Sequence, residues 1–215
     1  EAIVHLYEDL GAKCVSKLNG MFAFCIYDKR QKRLFFATDR AGKKPLYIYH
    51  SGTNFAFSSE LKGFYELPFF HKRLNATALR KFFLYGYIPS PLTPYLNTTK
   101  LPAGTNAIFD LNNNLLSFET YWDFDYSKKL DLTEEDWARK IDRLLSLAVK
   151  DRLISDVPLG CFLSGGIDSS LVVAYMSKYI KGRDIKTFSI GFDETRVNES
   201  EYAGQVAELY KTDHH

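Results

Sequence analysis

One stretch of the chain gathers residue types suited to holding an anion: Ser164-Gly165-Gly166-Ile167-Asp168-Ser169-Ser170. Two adjacent glycines let backbone N–H groups approach a negative group with no Cβ in the way. Ser164, Ser169 and Ser170 add hydroxyl donors around the same point. A Walker A loop needs a lysine at G-x-x-x-x-G-K-[ST] spacing, and none stands there. The dinucleotide fingerprint G-x-G-x-x-G and the nucleophile elbow G-x-S-x-G do not match either.

The flanking segments say how such a stretch is positioned. Residues 157–163 are apolar and of strand length. Residues 171–180 suit a helix, with Lys178 and Lys181 near its end and Gly182 as its stop. Strand, glycine-hydroxyl loop and helix turn loop amides and a helix N-terminus toward one point, where a phosphate is readily held. In that setting the loop resembles the S-G-G-x-D-S-S pyrophosphate loop of the PP-loop ATP pyrophosphatases. Residues 186–192 follow as a strand with Phe188, Ile190 and Phe192 alternating. A helix over 199–210 comes next, with Tyr202, Val206 and Leu209 inward and Asn198 as its cap. The β-α-β-α series implies a parallel sheet with right-handed crossovers. The next strand is expected to begin where the sequence stops at His215, so two parallel strands are expected here and this domain reads as incomplete.

Upstream of the loop, Thr133-Glu134-Glu135-Asp136 resembles a capping box with Asp for the usual Glu. It should start a helix to about Leu153, carrying Trp137, Ile141, Leu144, Leu145 and Ala148 on one face. Residues 122–132 lack periodicity and read as an interdomain linker. The first half reads differently. A short helix presents Ile3, Leu6, Tyr7 and Leu10 and closes at Gly11. Residues 21–27 form a strand apolar on both sides, expected to be central, and Leu34-Phe35-Phe36-Ala37 a second. A loop through Asp39 leads to a third strand ending near Tyr49, and residues 55–58 return as a fourth. Ser58 caps a helix over 59–66, and Asn75 caps one carrying Leu79, Phe82 and Phe83 up to Gly86. Residues 105–110 and 115–121 make a hairpin turning at Asn112-Asn113-Asn114. Short turns between sequential strands argue for antiparallel pairing.

The 215 residues are 46% hydrophobic, enough to bury a core in one or two domains, and carry a net charge of +2. Acids and bases are interspersed, which recommends neither nucleic acid nor a membrane surface as partner. No apolar run approaches the ~20 residues of a membrane helix. Cys14, Cys25 and Cys161 are widely spaced in apolar contexts and read as buried reduced thiols of a cytoplasmic protein. Glu1-Ala2-Ile3-Val4-His5 is not a signal peptide. Lacking an initiator Met, the chain is expected to begin within a longer protein or after processing.

Several segments in order carry a resemblance that runs end to end. They are Leu18-Asn19-Gly20-Met21-Phe22-Ala23-Phe24, Asp39-Arg40 with Gly42-Lys43-Lys44-Pro45-Leu46-Tyr47, and Phe57-Ser58-Ser59-Glu60-Leu61-Lys62. Further on come Ser155-Asp156-Val157-Pro158-Leu159-Gly160, the 164–170 loop, Thr187-Phe188-Ser189-Ile190-Gly191-Phe192 and Thr212-Asp213-His214-His215. Together they resemble the middle of a glutamine-hydrolysing asparagine synthetase.

That resemblance implies a fold of α+β and α/β parts. Residues 1–121 would be the C-terminal part of an N-terminal-nucleophile hydrolase αββα sandwich, the glutaminase. Residues 133–215 would begin a PP-loop, adenine nucleotide α-hydrolase-like parallel domain, joined by the linker 122–132. It implies ATP and Mg²⁺ as cofactors and glutamine, aspartate and ATP as substrates, and it allows a homodimer. Ser164, Gly165, Gly166, Asp168, Ser169 and Ser170 match the pyrophosphate-binding motif, with Asp168 acting through Mg²⁺ or loop amides. Phe162 or Leu163 and Ile190 match the adenine pocket. The departures are at the ends. Residue 1 is Glu, so the family's N-terminal Cys nucleophile is missing and no catalytic residue is expected within the chain. The aspartate site would lie beyond His215. On this reading the 215 residues alone neither hydrolyse glutamine nor make asparagine.

Other features invite weaker readings. Asp39-Arg40 with Lys43-Lys44 is read as a turn stapled by ion pairing. His214-His215 is not read as a metal site, because adjacent strand residues point to opposite faces. Phe82, Phe83, Tyr85 and Tyr87 are expected to pack helix against sheet. Alternatives to asparagine synthesis are a related amidotransferase or β-lactam synthetase acting on another carboxylate, or a catalytically inert chain.

Overall fold

A computed structural model describes residues 1–181, 184–192 and 199–215, which leaves the expected helix stop Gly182 and cap Asn198 outside the described residues. The chain divides into two compact units, Glu1–Lys128 and Lys129–His215. It is a mixed α/β chain, with three sheets among the described residues.

The first unit opens with α1 (Ala2–Leu10), closed by Gly11 at φ 58°, and a 3-10 turn over Gly11–Lys17. Then come β1 (Ala23–Asp28), β2 (Arg33–Thr38), β3 (Tyr47–Ser51), β4 (Asn54–Ser58), α2 (Ala76–Tyr85), β5 (Thr98–Lys100), β6 (Thr105–Asp110) and β7 (Leu115–Thr120). Two antiparallel sheets result, one ordered β1-β2-β6-β7 and one ordered β4-β3-β5. Strand alternation separates the two faces of β2. Phe36 joins Leu46, Ile48, Leu101, Ala107 and Phe109 in a core shared by both sheets. Phe35 and Ala37 face the other way, onto Tyr7, Cys14 and Val15 of α1 and the following turn. The far side of the small sheet is covered by Phe64 and Phe70 against Tyr49.

Four expectations for this unit need correction. Residues 21–27 were expected to be central, but β1 is an edge strand with Met21 and Tyr27 exposed, and β2 is the strand buried on both faces. The helix over 59–66 contracts to a 3-10 turn, Leu61–Phe64. The Ser58 hydroxyl accepts the Glu60 N–H, and a Cβ on Gly63 would stand 2.3 Å from Ser58 Oγ, so the segment folds tightly back on its own start. Asn75 does cap α2, accepting from the Thr77 and Ala78 N–H groups, and Gly86 closes it at φ 77°. The helix buries only Ala78, however, and Phe82, Phe83, Tyr85 and Tyr87 are exposed rather than packed on a sheet. Finally, no lysine side chain pairs with Asp39. Its buried carboxylate accepts four backbone N–H groups, from Phe22, Ala41, Lys43 and Lys44.

The second unit carries α3 (Glu134–Asp151), β8 (Gly160–Phe162), α4 (Ile167–Met176), β9 (Lys186–Phe188), α5 (Ser200–Tyr210) and β10 (Asp213–His214). Thr133 caps α3 by accepting the Asp136 N–H. The apolar face of α3 at Trp137, Ile141, Leu144 and Leu145 is exposed. Polar bonds tie the helix to α4 and the turn after it, Asp142 accepting from Tyr175 and Ser146 lying 2.7 Å from the Tyr179 hydroxyl. The sheet is parallel and ordered β10-β9-β8, so it has a third strand where two were expected. One of its cores joins Leu163, Val173, Ala203 and Ala207. Tyr202 and Leu209, expected inward, are exposed, and α5 turns its small residues to the sheet instead. His214 and His215 diverge as strand alternation requires. His214 Nδ1 lies 2.9 Å from Thr187 Oγ1, while His215 stacks on Phe188.

Candidate functional site

The 164–170 stretch lies at the C-terminal end of β8, between two parallel strands joined by α4. Open parallel sheets bind ligands at this end. The helix begins earlier than expected, at Ile167, with Gly166 as its extended N-cap. The loop proper is therefore Ser164-Gly165-Gly166, and Asp168, Ser169 and Ser170 form the first helical turn. The Ser170 N–H closes the first helical bond onto the Gly166 carbonyl, while the N–H groups of Ile167, Asp168 and Ser169 precede it and have no intrahelical acceptor, which makes this an anion-binding end.

Two devices shape the loop. The Ser169 hydroxyl accepts the Ser164 N–H at 3.2 Å and lies 3.0 Å from the Ser164 hydroxyl, closing the loop across its base. Gly165 sits at φ +78°, and a Cβ there would fall 2.5 Å from Tyr202 Cβ and 2.6 Å from the Ala203 nitrogen. The loop thus rests against the first turn of α5, which accounts for the small inner face of that helix. Among the described residues, the Ser170 hydroxyl is buried with no hydrogen-bond partner. An oxygen-rich ligand at the loop would give it one. Asp168 is exposed beside it.

Phe162, Leu163 and Ile190 all line one pocket of about 280 Å³ at the strand ends, shared with Ser164. Phe162 and Ile190 are 79% and 72% exposed, while Leu163 is buried at 1%. Gly165, Gly166, Asp168, Ser169 and Ser170 are not in its lining. The apolar pocket thus adjoins the polar loop through Ser164, an arrangement that suits a ring next to a phosphate chain. Phe188, Ser189, Phe192 and Ser200 also line it and were not among the site residues expected from the sequence. A hydroxyl inside an otherwise alternating apolar strand was the available signal for Ser189. Among the described residues no three His, Cys, Asp or Glu side chains converge, so a cation at Asp168 would need ligand oxygens and water to complete its shell, a pattern Mg²⁺ tolerates.

None of the three cysteines is a primed nucleophile. All are free thiols, and burial raises each of them above the ordinary thiol range, Cys25 to about 12. The thiolate is the nucleophile, so these side chains are held inert. Among the described residues, no helix is long and apolar enough to cross a membrane.

Residues 1–122 match the glutamine amidotransferase domain, and residues 140–215 match asparagine synthase. The chain belongs to the glutamine-hydrolysing asparagine synthetase family. It is 44% identical over its whole length to a putative asparagine synthetase [glutamine-hydrolyzing] 2 of Methanocaldococcus jannaschii, covering 42% of that protein. It is 29% identical, again over its whole length, to asparagine synthetase [glutamine-hydrolyzing] 3 of Bacillus subtilis, covering 37%. Amidase chry2 of Gibberella zeae is 30% identical to it, with 34% of that protein covered. The chain thus spans less than half the length of these relatives.

Proposed function

We propose that this chain is part of an ATP-dependent enzyme that makes asparagine from aspartate with ammonia drawn from glutamine. Residues 1–121 would belong to the glutaminase, with its αββα sandwich, and residues 133–215 to a PP-loop synthetase, joined by 122–132. The observation that carries the reading is the Ser164-Gly165-Gly166 loop, backed onto α5 and opening beside an apolar pocket at the ends of parallel strands. Ser164, Gly165, Gly166 and the first turn of α4 would hold the β- and γ-phosphates of ATP, and Phe162, Leu163 and Ile190 its adenine. The aspartate β-carboxylate attacks the α-phosphorus. The bond to the β-phosphate breaks, and pyrophosphate leaves toward the loop amides, which stabilise its growing charge. Ammonia then attacks the acyl carbon of the aspartyl adenylate and AMP departs. Mg²⁺ would neutralise phosphate charge, and Asp168 would be the side chain that holds it. Soluble substrates and inert free thiols suit a cytoplasmic setting.

The test uses the complete protein. Ser164→Ala and Asp168→Ala should each lower ATP–pyrophosphate exchange by about 10²-fold, the usual cost of removing a preorganised transition-state contact. Glutamine hydrolysis should stay within about twofold, because the proposal assigns it to other residues. Equal loss of both activities in a folded variant would overturn the assignment. The similarity to an amidase favours one second reading, a related amidotransferase acting on another carboxylate. Replacing aspartate by other acids in the exchange assay separates the two.

A further inference from the structure

The ladder between β8 and β9 ends abnormally, and it ends at the nucleotide pocket. In a parallel pair the rungs are evenly spaced, and every second residue of one strand offers both its N–H and its carbonyl to the other. The Leu163 N–H donates to the Phe188 carbonyl at 2.8 Å, continuing the Phe162–Phe188 register. The next rung should run from the Ile190 N–H to the Leu163 carbonyl. That carbonyl instead accepts the Ser189 hydroxyl. Among the described residues, the Ile190 N–H makes no hydrogen bond.

Ser189 is fixed from its other side. Its N–H donates to the His215 carbonyl at 2.9 Å, and the His215 N–H donates to Thr187 at 2.9 Å. The end of β9 thus stays joined to β10 through the backbone while a side chain stands in for its last rung to β8. The strands part beyond Leu163 and Ser189, and the gap is the pocket of about 280 Å³ between Leu163–Ser164 and Ile190. On the far wall, a Cβ on Gly191 would stand 3.1 Å from Ser200 Oγ, which leaves the opened segment little room to retreat further.

We propose that Ser189 is a positioning residue for the nucleotide: its hydroxyl caps the Leu163 carbonyl, terminates the ladder and holds the pocket mouth open with the Ile190 N–H free for a ligand acceptor. This rests on the ATP reading above. Without the hydroxyl, the Ile190 N–H is the donor that the ladder register offers to the unpaired Leu163 carbonyl, and pairing there narrows the mouth.

The experiment combines exchange kinetics with hydrogen exchange in the complete protein. Ser189→Ala should raise the KM for ATP by about tenfold, the scale of one hydrogen bond, with kcat within about twofold. Ser189→Thr keeps the donor and should restore the KM. Without nucleotide, S189A should slow exchange in the peptide holding the Ile190 amide, because a closed rung protects it. Should S189A fail to fold, Ser189→Cys replaces it, its thiol being a poor donor, with the same signs at smaller amplitude. An unchanged KM and unchanged amide exchange, in a protein where Ser164→Ala lowers pyrophosphate exchange by about 10²-fold, overturns the proposal and spares the ATP reading. If Ser164→Ala leaves pyrophosphate exchange intact, the ATP reading falls, and the amide exchange of S189A still decides whether the hydroxyl ends the ladder.

Discussion

Asp39 shows how a single side chain can organise a backbone that has no regular structure. Its carboxylate gathers N–H groups from residue 22 and from three positions between 41 and 44, and its own carbonyl accepts from Gly42 and Gly104. Burial pushes this carboxyl up, yet the hydrogen bonds from Lys43, Lys44, Phe22 and Ala41 outweigh it and the net direction is down. A carboxylate held below its unfolded value adds stability that is present above the unfolded pKa and lost as pH falls through the folded one. The first unit should therefore weaken in acid from about pH 4 downward. Asp39→Ala strands four donors and should cost about 3 kcal/mol or more, measured by urea unfolding. Asp39→Asn keeps one oxygen as acceptor and should cost about half as much and flatten the acid limb. A wild-type acid limb in Asp39→Asn would mean that another group carries the dependence.

At the scale of elements, the Ser164–Gly166 loop depends on a glycine whose two constraints are separable from those of its neighbours. Gly165 is both left-handed and pressed on the Tyr202 Cβ and Ala203 backbone, which cannot swing aside. Gly165→Ala should cost about 2–4 kcal/mol and abolish nucleotide binding. Gly204 in α5 has open space around it and an ordinary helical conformation, so Gly204→Ala should stabilise by up to about 1 kcal/mol. Chemical denaturation of the two variants checks both signs. The same contrast explains what the sequence could disclose. Glycine pairs, caps such as Asn75 and Thr133, and the apolar run Leu34–Ala37 between short turns are local, and they placed the strand–loop–helix unit and the antiparallel pairs of sequential strands. The burial of α3 and α2 was not legible, because periodicity marks an apolar face without saying what meets it, and Trp137 and Phe83 are exposed. Nor was the start of α4 at Ile167, since Asp-Ser-Ser reads equally as loop or as a first turn. Ser189 escaped notice because its role depends on a carbonyl 26 residues away.

At the scale of the whole molecule, the two units bury their apolar residues in different ways. The first places Phe36, Ile48, Leu101 and Phe109 between two antiparallel sheets, independent of any nucleotide. The second has a parallel sheet of short strands whose open end carries exposed Phe162, Ile190 and Phe192, surface that a bound nucleotide would cover. A ligand that binds only the folded form stabilises it by mass action, by about 2.7 kcal/mol at a hundredfold excess over Kd. ATP with Mg²⁺ should therefore slow hydrogen exchange in peptides covering 160–170, 186–190 and 199–203, and raise the melting temperature of the transition that belongs to residues 129–215. Peptides from the core strands β2 and β6 should keep their exchange rates, since none of their residues lines the pocket beside Ser164. The Gly165→Ala variant supplies the internal control, because it should lose the ATP shift while keeping the slow exchange of β2 and β6. Protection by ATP centred on residues 1–128, with residues 160–170 unaffected, would place the nucleotide away from the Ser164–Ser170 loop and undo the assignment on which the synthetase reading rests.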